Sequence, residues 1–266
     1  MFSSTRFRAT AVQVAVFAAI AGACASASAL EAFTINPQAG GLTGAPPGTI
    51  TADNFLVSDY SAVTFGAGGT FTDKGYLAIT GFQLGDSQVV ANGLNSTYGM
   101  YIAFSGAGTT TTGNLGSTAT AGTFTSLTYT LYGYSGAPAT FGFSGNTATV
   151  SSPATKVLAD GTLVYGAVGT LPSGGGKFVP SAAATLTFNV VDSAFFTAPN
   201  PFYDTALTAF TNTTSEVRPF ADGTGFKITQ GGGSFNLVSA VPEPGTYGML
   251  AAGLGAIAFV ARRRRS

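Results

Sequence analysis

The side chains that could carry out acid–base chemistry in this chain are mainly aspartates. Histidine is absent and Cys24 is the one cysteine, so the commonest general base and the commonest zinc ligand are missing. A pair of carboxyl groups about 5–10 Å apart could still serve glycoside hydrolysis. Six aspartates are candidates for such a pair: Asp53, Asp59, Asp73, Asp86, Asp192 and Asp204. Because single aspartates in Gly-rich sequence are more typical of turns, we expect a protein that is not an enzyme.

Motifs for other kinds of site are also missing from the sequence. There is no Gly-x-Ser-x-Gly elbow, no Walker loop and no dinucleotide fingerprint. There is no Asp-x-Asp-x-Asp loop either, so calcium remains an alternative only through scattered acids. We therefore expect no cofactor.

The charge of the chain is divided between its ends and its middle. Residues 30–241 contain ten acidic and five basic residues, which gives a net charge of −5. A nucleic-acid surface needs clustered Lys and Arg. We therefore expect no nucleic-acid partner for the middle of the chain.

The first 29 residues have the features of a secretory signal peptide. Arg6 and Arg8 precede an apolar run from Thr10 to Ala23, and the small residues Ala27 and Ala29 form a cleavage site. A basic start, a short apolar region and a small-x-small site are typical of export signals. The sequence therefore predicts export and cleavage after Ala29.

A second interpretation of this segment is lipidation. Residues 21–24 resemble a lipoprotein box that ends in Cys24. If cleavage instead follows Ala29, the mature chain starts near Leu30 and contains no cysteine. It then has no disulfide to stabilise it, although the compartment would permit one.

The other end of the chain predicts a membrane segment. Gly245 to Ala261 is a run of seventeen uncharged residues, followed by Arg262 to Arg265. A spanning helix needs about 17–25 residues, and clustered arginines stay in the cytoplasm. The pattern predicts a single-pass precursor with a cytoplasmic C-terminus, and a permanent anchor is one reading of it.

The order of features in this tail resembles the PEP-CTERM sorting signal of Gram-negative bacteria. Pro242, Glu243 and Pro244 precede the apolar run, and the chain ends with Arg262, Arg263, Arg264, Arg265 and Ser266. The resemblance implies transient attachment to the inner membrane and cleavage by an exosortase, a membrane transpeptidase. The released body would then lie at the cell surface or in the extracellular matrix. We divide the chain into a signal peptide (1–29), a body (30–241) and a sorting signal (242–266).

The body has the residue pattern of β-strands. Apolar and polar residues alternate in residues 185–190 and 125–132, which places Leu127, Tyr129 and Leu131 on one face. Further strands are predicted over residues 76–84, 98–105, 162–168, 225–229 and 234–238. Many short strands with Gly-rich turns predict an all-β, antiparallel β-sandwich, jelly-roll-like or barrel-like.

Turns and loops are predicted where glycine is frequent. Asp160-Gly161 and Asp222-Gly223 are typical hairpin dipeptides, and Asp73-Lys74-Gly75 indicates a looser turn. The stretches 106–121 and 171–181 are rich in glycine, and we expect flexible loops there.

The body also resembles the flocculation-associated PEP-CTERM proteins. The resemblance rests on residues 52–55, 68–72, 98–101 and 232–235, and above all on residues 194–203. It implies an exported protein that helps cells aggregate within an exopolysaccharide matrix as floc or biofilm. It supplies no catalytic residues. The alternative from another class is a carbohydrate- or calcium-binding module with no structural role.

The segment around Asn200 admits two interpretations. Pro199 and Pro201 stiffen it by fixing φ, and Phe202 and Tyr203 follow directly. Its aromatic side chains could fill the core beneath a crossover. Alternatively, Asn200, Phe202 and Tyr203 could form an exposed patch that meets polysaccharide or another copy of the chain.

Overall fold

The structure is a computed structural model that describes residues 30–91, 93–111, 120–173, 177–211 and 216–239. The sole helical element in these residues is a 3₁₀ turn, Ala67–Gly69. The strands are β1 (Phe33–Ile35), β2 (Ile50–Ala52), β3 (Asn54–Phe65), β4 (Thr70–Leu84), β5 (Ser87–Val89), β6 (Tyr98–Thr110), β7 (Ala121–Ser135), β8 (Thr140–Ser144), β9 (Thr147–Ser151), β10 (Thr155–Ser173), β11 (Lys177–Thr187), β12 (Asn189–Val190), β13 (Phe196–Ala198), β14 (Thr205–Thr211), β15 (Val217–Pro219) and β16 (Gly225–Val238).

Eight of these strands form a closed antiparallel barrel. The pairing follows chain order, β3-β4-β6-β7-β10-β11-β14-β16, and β16 pairs with β3 to close the circle. The prediction of an all-β antiparallel fold is confirmed, in its barrel-like form rather than as two separate sheets. The described residues from Glu31 onward belong to one compact unit. The predicted signal peptide and sorting helix lie outside the described residues.

Side chains of the barrel strands alternate between the interior and the outer wall. On β7, Leu127, Tyr129 and Leu131 are buried, as the sequence pattern predicts. On β3, Phe55 and Val57 start an inner row that continues through polar residues to Val63. An eight-stranded barrel has an interior that side chains can fill or that can hold one small ligand.

One end of the barrel, the capped end, is closed by a three-stranded sheet of β13, β1 and β2. Phe33 of β1 stacks on Phe55 with ring centroids 4.7 Å apart, and Phe196 of β13 contacts Phe188 at 5.3 Å. Leu42, from the loop after β1, is 2% exposed and lies against Gly133 of the barrel wall. The N-terminal segment of the body is therefore part of the core.

The remaining strands pair with barrel strands or lie on the outer side of the barrel wall. β5 pairs with β4, β12 with β10, and β15 with β16. β8 and β9 form a separate hairpin. This hairpin lies on the outer wall, where Phe141 stacks on Tyr60 of β3 with ring centroids 5.1 Å apart.

Two predicted turns are wrong. Asp160-Gly161 lies inside β10, and Asp73-Lys74-Gly75 lies inside β4. Both glycines make room for a neighbour on the barrel wall. A Cβ atom on Gly161 would lie 2.6 Å from the Tyr129 ring, and one on Gly75 would lie 2.3 Å from the Tyr60 carbonyl oxygen. Asp222-Gly223 is a turn as predicted, with Gly223 at φ 71°.

The two predicted loops are shorter than expected. β6 continues to Thr110, and the hairpin of β10 and β11 extends to Ser173 and Lys177. Residues 112–119 and 174–176 lie outside the described residues. Glycine-rich sequence continues as strand here because large rings fill the interior: a Cβ atom on Gly108 would lie 2.5 Å from Phe71.

Candidate functional site

The residues predicted to direct processing lie outside the described part of the chain. These residues are Ala27, Ala29, Pro242, Glu243, Pro244, Arg262, Arg263, Arg264 and Arg265. Their roles therefore stay predictions. Within the described residues, no helix has the length and apolar character needed to cross a membrane.

The loop around Asn200 places most of its aromatic side chains against the core. Phe195 and Phe196 are buried. Phe202 is half-buried with its ring centroid 4.8 Å from that of Phe196. The Tyr203 hydroxyl donates to the Ala32 carbonyl at 2.8 Å, while Asn200 is exposed. The geometry agrees with the interpretation of the loop as a crossover whose aromatics fill the core.

The same end of the barrel holds both ends of the described body. The Ser239 N–H donates to Glu31 Oε2 at 2.8 Å. Burial, followed by the charge of Glu31, raises the pKa of Tyr203. Ser239, three residues before the predicted sorting signal, thus lies beside the start of the predicted mature chain.

Four of the six candidate aspartates have structural partners or are exposed. Asp53 accepts the Gly85 N–H at 2.6 Å. Asp192 pairs with Lys156 at 2.5 Å and accepts the Ala194 N–H. Asp86 and Asp204 are exposed. None of these contacts indicates a catalytic pair.

The other two, Asp59 and Asp73, are brought together inside the barrel. Asp59 is on β3 and Asp73 on β4, and the pair Ser61–Gly75 lies between them in the strand register. Because Gly75 has no side chain, the Ser61 hydroxyl lies beside both carboxyl groups. Asp59 Oδ1, Asp73 Oδ1 and Ser61 Oγ have no hydrogen-bond partner among the described residues.

Burial keeps both carboxyl groups protonated up to a higher pH than is usual for aspartate. Burial, and then the charge of Asp73, raises the pKa of Asp59 well above its usual value. Burial raises the pKa of Asp73 to about 7. The nearby Ser61 hydroxyl opposes both shifts without making a hydrogen bond of regular geometry. Near pH 7 Asp73 is therefore about half ionised.

These carboxyl groups border a cavity in the half of the barrel away from the capped end. Its volume is about 70 Å³. The wall is mainly apolar and aromatic, and it includes Phe71, Phe104, Phe124 and Tyr129. No described side chain of the lining is basic. A cavity of about 150 Å³ holds one benzene molecule, so a sugar ring with its hydroxyl groups does not fit here.

A second concave surface, the outer groove, lies on the barrel wall beside the β8–β9 hairpin. It has a volume of about 430 Å³, with small residues among its lining and the polar or aromatic side chains Thr72, Lys74, Tyr76, Asn146 and Thr147. Tyr76 packs edge-on against Tyr101 with centroids 6.0 Å apart. Rings with hydroxyl, amide and ammonium groups around them can bind polyhydroxylated molecules.

The most exposed large apolar side chains include Tyr165, on the outer wall of β10. Tyr165 is 64% exposed. It pairs across the strands with Thr185, which in turn pairs with the partly exposed Leu207. This row is open to a partner, in contrast to Phe202 and Tyr203.

No group of three or more His, Cys, Asp or Glu side chains in the described ranges is placed to hold a metal ion. The calcium alternative therefore gains no support from these residues. Ser61 was not anticipated from the sequence. Its signal was available, because the alternation along β3 places Asp59 and Ser61 in the inner row with Val57 and Val63.

Comparison with known proteins identifies the tail. The family model of the PEP-CTERM protein-sorting motif matches residues 240–265. Searches of curated proteins and of solved structures find no match for the chain. The prediction of the sorting motif is confirmed. Residues 240–265 therefore carry the PEP-CTERM protein-sorting motif, and the motif implies an exosortase target that is exported to the cell surface.

Proposed function

We propose that this protein is a non-enzymatic surface or matrix protein that promotes cell aggregation, as floc or biofilm, together with exopolysaccharide. The sorting motif at residues 240–265 carries the proposal, because it directs the folded body to the place where cells meet. In the precursor, the apolar tail holds the body at the inner membrane with the C-terminus in the cytoplasm, until an exosortase cleaves it.

The resemblance of the body to flocculation-associated PEP-CTERM proteins supports the polysaccharide part of the proposal. The chemistry of the outer wall agrees with it. The body has few charges for its length, and its exposed strand positions are frequently threonine, so a neutral polymer meets little electrostatic resistance. Tyr165, which is 64% exposed, offers an aromatic surface of the kind that packs against apolar faces of other molecules.

The size of the internal cavity supports a function without catalysis. Asp59 and Asp73 are the two carboxyl groups that lie together, but the cavity beside them, of about 70 Å³, is too small for a sugar ring. We also propose that the aggregation function needs no cofactor and no nucleic acid.

Aggregation of cells tests the proposal. A strain that lacks the protein should settle more slowly, and the full-length chain should restore settling. A chain in which Pro242, Glu243 and Pro244 are replaced by alanine should fail to restore it, because its body is not sorted. If the deletion strain settles like the parent, the proposal is wrong.

Binding of isolated exopolysaccharide then tests the surface. Tyr165→Ser should weaken co-sedimentation of the mature protein with the polymer, since it removes an exposed ring without disturbing the core. Val90→Ser is the matched control, because Val90 is 79% exposed and far along the chain from Tyr165. Equal binding by both variants and the wild type would remove Tyr165 from the proposal.

The outer groove favours a second candidate, a carbohydrate-binding module without structural duty. Its ring and polar side chains, Tyr76, Lys74, Asn146 and Thr147, line about 430 Å³ of space. This candidate predicts saturable binding of a defined oligosaccharide by monomeric protein, and its loss in Asn146→Ala. It also predicts no effect of the protein on settling.

A further inference from the structure

Three buried oxygen atoms lack hydrogen-bond partners among the described residues: Asp59 Oδ1 and Asp73 Oδ1, whose residues line the internal cavity, and Ser61 Oγ, whose residue lies behind the lining. Ser61 is fully buried, and Asp59 is 5% exposed. An acceptor that is buried without a donor is destabilising. The site therefore favours an occupant that brings donors with it.

The rest of the cavity limits what that occupant can be. The lining around the carboxyl groups is apolar, with the aliphatic side chains Leu77, Ile102 and Leu127 and several aromatic rings. Aromatic rings attract cations as well as hydrocarbon. Because no described lining side chain is basic, the negative charge of the carboxyl pair has no counter-ion among the described lining residues.

We propose that this cavity binds a small primary alkylammonium ion, with its ammonium group beside the carboxyl groups of Asp59 and Asp73 and its carbon atoms against the aromatic wall. An ammonium group has three N–H donors, which is enough to reach both carboxyl groups. The volume of about 70 Å³ is about half of the roughly 150 Å³ that holds one benzene molecule. It therefore restricts the alkyl group to a few carbon atoms. This inference does not depend on the proposed role in aggregation.

A metal ion fits the same site less well. Calcium takes six to eight oxygen ligands, whereas the described lining offers two carboxyl groups in a mainly apolar surrounding. A neutral alcohol of the same size would gain the apolar contacts but not the attraction to the carboxyl charge. These differences in chemistry provide the controls.

The titration of the site agrees with a monovalent cation. The titratable groups in the described lining are Asp59, Asp73 and Tyr129. Burial raises the pKa of Asp73 to about 7 and the pKa of Asp59 well above its usual value, and burial also raises the pKa of Tyr129. A monovalent cation therefore matches the site at a pH slightly above 7, where Asp73 is mostly ionised.

Thermal unfolding of the mature protein recovered from the cell surface tests the proposal. At pH 8, ethylammonium chloride at ten times its dissociation constant should raise Tm by about 3–6 °C. Ethanol, sodium chloride and calcium chloride at equal concentration should leave Tm unchanged within error. Three results would overturn the proposal: an equal shift with ethanol, a shift with calcium instead, or no shift with ethylammonium up to about 0.2 M. Added salt in this range screens buried charges only weakly.

Two substitutions connect the shift to the site. Asp73→Asn should abolish the ethylammonium shift, because it removes the ionised group. Asp53→Asn is the matched control, since Asp53 is also buried but lies at the capped end beside Gly85, and it should retain the shift. A retained shift in Asp73→Asn overturns the proposal; if that variant does not fold, the wild type is measured at pH 5, where Asp73 is protonated and the shift should disappear.

Proton release provides a readout that general stabilisation does not change. A bound cation favours the ionised form of Asp73, so binding at pH 7 should release about half a proton per protein. Calorimetry in two buffers of different ionisation enthalpy measures that release. Binding without proton release would place the ion elsewhere and overturn the proposal.

Discussion

The two halves of the barrel share the same eight strands but fill their interiors in different ways. In the capped half, the Phe55 ring meets those of Phe33, Phe82 and Phe235 at centroid distances of 4.7–6.2 Å. In the other half, here the cavity half, the inner positions include Gly75, Gly106 and Gly108 and the polar residues Asp59, Ser61 and Asp73 besides the aromatic rings of the cavity wall. The capped half therefore contributes most of the interior packing. The cavity half contains an unfilled volume and buried side-chain oxygen atoms.

The largest effect should come from the packed half. Phe55→Ala removes a ring that is 1% exposed and should lower the free energy of unfolding by about 3–5 kcal/mol. Phe104→Ala, the matched change in the cavity wall, should cost about 1–3 kcal/mol, because Phe104 is only half-buried. Urea unfolding of the mature protein measures both. Equal losses would mean that the two halves are packed equally well.

The next effect concerns the glycine that makes room for Ser61. In Gly75→Ala the new Cβ atom would lie 2.3 Å from the Tyr60 carbonyl oxygen, so we expect a loss of about 1–3 kcal/mol. Gly232→Ala is the control, because nothing lies within 4 Å of the corresponding Cβ position, and its effect should stay within about 0.5 kcal/mol. Unfolding midpoints in urea give the comparison, and equal stability of the two variants would contradict it.

A third effect is the pH dependence that the cavity half confers. Asp59 and Asp73 keep their protons in the folded state while the unfolded state loses them, so stability should fall as pH rises from about 4 to 7 and beyond. Asp73→Asn should raise the free energy of unfolding at pH 8 by roughly 1–2 kcal/mol, with little change at pH 4. Asp86→Asn, at an exposed aspartate, should follow the wild-type curve. A wild-type stability that is constant from pH 4 to 8 would show that the pair does not titrate in this way.

The smallest effect should come from the hydrogen bond between Tyr203 and Ala32 at the capped end. Tyr203→Phe removes the hydrogen bond to the Ala32 carbonyl, which is 2.8 Å long, and should cost about 0.5–1.5 kcal/mol. Amide exchange should speed up in β1 and leave the strands around Asp73 unchanged. Cell aggregation should persist, because the aromatic ring remains; its loss would favour a direct role for Tyr203 at an interface.

Strand alternation predicted the fold class and one face of the wall correctly, because the pattern of residues such as Leu127, Tyr129 and Leu131 is local. Closure of the barrel depends on pairing between β3 and β16, which lie far apart in the chain, and no local pattern specifies it. The form of the sheet could therefore not be predicted beyond the choice between sandwich and barrel.

Glycine made the candidate site difficult to predict from the sequence. Asp73-Lys74-Gly75 has the composition of a turn, yet Gly75 is needed inside β4 because Ser61 and the Tyr60 carbonyl occupy the space of its side chain. The same ambiguity affected Asp160-Gly161 beside Tyr129. Glycine in a barrel wall and glycine in a turn have the same local composition, and a three-dimensional neighbour decides between them.

The last strand of the described body also bears on how the body responds to force. This strand, β16, is bonded to β14 on one edge and to β3 on the other. Tension applied through the C-terminal end therefore enters along a strand whose ladder bonds on both edges resist it together. Under tension the rate of unfolding, not the equilibrium stability, sets how long a domain holds. The last described strand thus decides the lifetime of the folded body under tension.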